Sequence, residues 1–103
     1  MRQRSTALGW IDLDVTVTPD WDAAQVRRLA RRLGYVLVRP RDASLIPLVD
    51  QVRNADVDAL IVPSPAHLDV IQLHAVMCLA DVETACPRMS FARWATIATG
   101  RLG

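Results

Sequence analysis

The chain has 103 residues, 51% of them hydrophobic and 22% charged, with a formal net charge of +1. Such a chain is too rich in apolar residues for disorder, and its length predicts a single domain over 1–103, with a C-terminal tail from about residue 95. All twelve basic residues are arginine, which excludes chemistry that needs a lysine, such as a Schiff base or a P-loop.

Apolar stretches are broken by His, Asp or Pro well short of the roughly 18 residues a membrane span needs. The basic start Met1-Arg2-Gln3-Arg4 leads into no signal-peptide core. The expectation is a cytoplasmic protein with no membrane partner. Cys78 and Cys86 fit a reducing compartment, as buried thiols rather than as a disulfide.

Residues 7–13 (ALGWIDL) read as the first strand, with Leu8, Trp10 and Ile11 toward the core and Asp12 and Asp14 closing it. Paired acids in that place suit a Mg²⁺ or phosphoryl-transfer pocket, since hard oxygen ligands suit that ion; solvated loop carboxylates are the other reading. A helix then begins at Thr18-Pro19-Asp20, with Thr as N-cap, Pro at the first position and acids at the positive dipole end. It runs to Leu33 and stops at Gly34, with Trp21, Val26, Leu29, Ala30 and Leu33 facing inward. Its outer face stacks Arg27, Arg28, Arg31 and Arg32, like charges whose mutual repulsion surface acids or nucleic-acid phosphate would offset.

Residues 35–39 (YVLVR) form a short second strand, ended by Pro40-Arg41-Asp42. The next helix is capped by Asp42 or Ser44, repeats Leu45, Leu48, Val49 and Val52 at i, i+3, i+4, i+7, and ends at Asn54 near Asp56.

The stretch 57–79 organises the chain. Val57, Leu60, Ile61 and Val62 have the pattern of a strand covered on both faces in a parallel sheet. Ser64 and Pro65 then supply the cap and first position of a long helix, 65–80, that is apolar nearly all round. In so small a domain part of that helix is expected to meet a second chain, with Val70, Leu73 and Met77 in the interface and homodimerisation the economical arrangement. Residues 81–86 (DVETAC) read as a fourth strand stopped by Pro87; beyond it Phe91 and Trp94 follow a Ser90 cap in a short helix or turn, and extend the interface. Strand and helix alternate, so the fold class is α/β: a small parallel sheet of about four strands with helices on both faces.

Two side-chain constellations are weak. His67, His74, Cys78 and Cys86 lack the spacing of a zinc site. Ser64, His67 and Asp69 are the residue types of a hydrolase, but on one corner and one helical turn they cannot align as nucleophile, base and orienter.

From Leu8 to Cys86 the chain resembles, in shortened form, the N-terminal catalytic domain of the serine recombinase (resolvase/invertase) family. Ala7-Leu8-Gly9-Trp10 is similar to the family's opening strand, usually G-Y-x-R-x-S. Residues 24–38, a helix followed by L-G-Y-V-L-V, match its first helix and second strand, and residues 57–68 resemble the strand and helix start that usually ends L-D-R-L-x-R. By this resemblance Asp12 takes the place of the opening Arg and Asp14 that of the nucleophilic Ser, while Ala66, His67 and Val70 replace the later Asp-Arg and second Arg. Acids there would repel a DNA phosphate, so the resemblance implies a domain without strand-transfer activity. The family's long dimer helix and helix-turn-helix segment have no room before Gly103.

The expectation is therefore a catalytically inactive recombinase-like domain, without cofactor, that acts as a dimeric interaction or regulatory module. One alternative is an accessory DNA binder using Arg27, Arg28, Arg31 and Arg32 with Arg39 and Arg41; another is a metal-dependent enzyme using Asp12 and Asp14.

Overall fold

The computed structural model describes residues 4–39 and 46–94. Arg41, the Asp42 and Ser44 caps, Leu45 and the tail from about residue 95 lie outside the described residues.

The elements alternate as expected. They are β1 (Thr6–Gly9), α1 (Pro19–Leu33), β2 (Val36–Val38), α2 (Leu48–Ala55), β3 (Ala59–Val62), a 3₁₀ turn (Pro65–His67), α3 (Val70–Met77), β4 (Asp81–Thr84) and β5 (Met89–Phe91). The sheet order is β2-β1-β3-β4-β5. The first four strands are parallel and β5 is antiparallel to β4. The class is α/β as expected, but the sheet has five strands and is mixed rather than about four and parallel.

Two apolar layers hold it together. On one face Val26, Leu29 and Ala30 of α1 bury against Ala7, Ala59 and Ile61. On the other, Leu48 and Val52 of α2 and Val76 of α3 pack with Leu8, Leu60, Val62 and Val82. Every residue of β3 is buried, because a central parallel strand is covered on both sides. Gly9 lets α1 lie close to the sheet: a Cβ there would stand 3.1 Å from Val26 Cγ1 and 3.3 Å from Leu37 Cδ1.

Helix α1 keeps its expected bounds. Asp20 and Asp22 fill its first turn, Arg31 and Arg32 its last, and Gly34 closes it at φ 83, in the left-handed region glycine tolerates. Thr18 caps it without a side-chain hydrogen bond, and Trp21 is exposed rather than inward, as Leu33 is at the other end.

The third helix departs most. Ser64 makes no side-chain cap, Pro65–His67 form a single 3₁₀ turn, and Leu68 is extended. Helix α3 starts only after Asp69, whose carboxylate accepts the Gln72 N–H at 2.7 Å while Gln72 Oε1 accepts the Asp69 N–H at 3.1 Å. That reciprocal capping box ends the apparent long helix as two pieces. Residues 89–91 are a strand rather than the expected helix: buried Thr84 accepts the Met89 N–H at 3.0 Å and donates to the Pro87 carbonyl, which closes the β4–β5 hairpin.

Candidate functional site

In an open parallel sheet ligands and partners meet the carboxyl ends of the strands, where the strand order reverses. Here the reversal lies between β1 and β3. The loops there are knitted together by His67, which is buried. Its Nδ1 accepts the Asp12 N–H at 2.8 Å, which sets the imidazole as the Nε2–H tautomer. Nε2 lies 3.8 Å from Asp22 Oδ2, and Thr16 Oγ1 donates to the same carboxylate oxygen. Asp12 Oδ1 accepts the Asp14 N–H at 3.0 Å. The chain between β1 and α1 is thus fastened to the turn after β3. The Trp10 indole N–H, also at the end of β1, is buried without an acceptor among the described residues.

This arrangement fastens the loops after β1 and β3 to each other. The Nδ1 lone pair of His67 is engaged by the Asp12 N–H. Its carboxylate neighbour is Asp22, not the Asp69 considered from sequence, because Asp69 is committed to capping α3. No three His, Cys, Asp or Glu side chains among the described residues converge as a metal site. Cys78 and Cys86 are free and exposed, not buried as expected; Cys78 Sγ donates to the His74 carbonyl at 3.5 Å.

Around this core the surface is apolar. Leu13, Val15, Val17 and Trp21 are exposed in the β1–α1 connection and first turn of α1, and Ile46 before α2. At the start of α3 Val70 and Ile71 are exposed at 81% and 80%. In α3 only Val76 is fully buried, so the helix is apolar all round without being covered all round. Ile71, His74 and Cys78 recur at i, i+3, i+7 on its outer side. The Trp94 ring lies tilted at 55° against His74 with ring centroids 5.6 Å apart, and its backbone N–H donates to the Met77 carbonyl at 2.8 Å. Of the five residues expected at an interface, Val70 and Trp94 are exposed; Leu73, Met77 and Phe91 are spent on the core.

The arginines divide. Arg27, Arg28, Arg31 and Arg32 are exposed on α1, and none has an ion pair among the described residues. Arg39 is exposed beyond the carboxyl end of β2, whereas Arg31 and Arg32 close α1 just before its amino end, so they do not form one patch.

Compared with protein-family models, curated proteins and solved structures, the chain matches none. Among the described residues no helix is long and apolar enough to cross a membrane.

Proposed function

We propose that the chain is a catalytically inactive, recombinase-like α/β domain that serves as an interaction module and pairs with a second copy through the outer side of α3. The observation that carries this reading is the exposure of Val70 and Ile71, with Trp94 against His74 of the same helix, on a helix that has no Asp, Glu, Lys or Arg within it. Exposed apolar surface of that kind is covered in a working assembly. A self-complementary patch on one helix suits a two-fold dimer. Inactivity is supported by Asp12 and Asp14, acids where the resembled family carries its Arg and Ser, and by the engaged imidazole of His67. The exposed free thiols suit a reducing, cytoplasmic setting.

Light scattering over a concentration series tests it. Wild type should move toward twice the monomer mass, and Val70→Asp with Ile71→Asp, at positions that contribute little to the core, should remain monomeric with an unchanged far-UV spectrum. A variant that still dimerises removes α3 from the interface.

A second reading, DNA binding, is favoured by the four α1 arginines that lack carboxylate partners among the described residues. It predicts duplex binding that weakens with salt and loses slope on Arg28→Ala with Arg31→Ala.

A further inference from the structure

Away from the apolar surface, a shallow groove opens between α1 and the turn of the β4–β5 hairpin. Gln25, Arg28, Leu29, Arg32, Ala85 and Arg88 line it, around about 80 Å³. The four helical residues stand at i, i+3, i+4, i+7 and form one stripe. Helix α1 covers the β2, β1 and β3 side of its face, so its long arginines reach past the apolar layer toward the outer strands. Side chains alternate along a strand, and the register Ile61↔Glu83↔Ser90 carries that face from apolar to polar there.

Arg88 is pre-set in this groove. Its Nη1 donates to the Met89 carbonyl at 2.6 Å and lies 2.9 Å from Oε1 of Glu83, which is only 7% exposed. The bond to Met89 uses one Nη1 proton and the Glu83 carboxylate is an ion-pair neighbour only, while Nη2 and Nε make no hydrogen bond among the described residues. Arg28 and Arg32 have no ion pair among the described residues, so of the three guanidiniums lining the groove only that of Arg88 has a described carboxylate neighbour. A planar fork of donors fits a tetrahedral oxyanion, and arginine is the residue that does this best.

We propose that this groove binds a single phosphate group, with Arg28, Arg32 and Arg88 as its cationic donors and Gln25 as a neutral one. The volume lies far below the roughly 300 Å³ at which pockets enclose a whole organic ligand, so the group taken is a terminal or bridging phosphate with the rest of its molecule outside. It comes from a small phosphomonoester or from a nucleic-acid backbone. The proposal does not rest on the dimer, and Val70→Asp with Ile71→Asp should leave it intact.

The experiment is calorimetric titration with inorganic phosphate and pyrophosphate, beside anisotropy of a labelled DNA duplex at several salt concentrations, on wild type, Arg32→Gln, Arg88→Gln and the control Arg27→Gln. Arg27 is exposed on α1 outside the groove, and Arg32 can be replaced without disturbing a described partner. Phosphate binding that drops at least about tenfold in Arg32→Gln and Arg88→Gln but not in Arg27→Gln is the expected result. If the duplex follows the same pattern, the source is nucleic acid; if only the free anions bind, it is a small phosphomonoester. No anion binding, or equal loss in Arg27→Gln and Arg32→Gln, would overturn the proposal, since the face would then act as diffuse charge.

Discussion

His67 carries a larger share of the structure than its single ring suggests. Replacing it by Ala removes the acceptor of the Asp12 N–H and opens a cavity beside Asp22, at a cost of roughly 2 to 3 kcal/mol, measurable by urea unfolding. Sequence spacing marked the residue but paired it with Ser64 and Asp69, its chain neighbours. Its real partner in the β1–α1 connection lies 55 residues away, where only the fold brings it near. Tyr35 offers a second test at this scale. Partial burial, with the Asp81, Glu83 and Asp58 carboxylates around it, pushes its phenol above the ordinary 10.0. The folded state therefore favours the neutral phenol. Stability is full below the unfolded-state value and falls as pH rises from there through the folded one. Tyr35 is the only tyrosine, so phenolate absorbance should titrate at higher pH in the native chain than in urea, and Tyr35→Phe should flatten the alkaline loss. Coincident titrations would show no coupling to folding. Asp12 and Asp14 form a local turn, so millimolar Mg²⁺ should leave the thermal midpoint unchanged; a rise would revive the metal reading.

At the scale of elements, legibility followed local chemistry. The bounds of α1 were readable because Pro19, the acids of its first turn and Gly34 each act within a few residues of their own position. Gly34→Ala should cost about 1 kcal/mol, since the left-handed backbone there penalises a Cβ. The apolar run through Leu68 hides the break before helix α3, although Asp69-x-x-Gln72 carries a capping signal. Removing it with Asp69→Ala should lower stability by about 1 kcal/mol and fray the first turn of α3. Strand β5 had no local signal of its own: Met89-Ser90-Phe91 is too short to show a period, and pairing with β4 and the Thr84 clasp make it a strand. The burial of Trp21 and Leu33 was over-predicted for a related reason, since periodicity marks a stripe but not where the sheet beneath it ends.

The whole molecule joins a tightly built sheet to an apolar outer side. Strand order and the fully buried β3 fix the scaffold, and His67 draws its carboxyl edge together. What that leaves outside, Val70, Ile71 and Trp94, is apolar surface that a lone domain gains nothing by displaying. The three arginines of the α1 groove lie on the opposite face of the sheet from α3, so a dimer through α3 leaves the groove open. Amide hydrogen exchange of the wild-type chain at low and high protein concentration tests self-association through α3 most directly. The account predicts that protection over residues 69–78 rises with concentration while that of the arginine face of α1 does not. Protection over α3 that is the same at every concentration would contradict it.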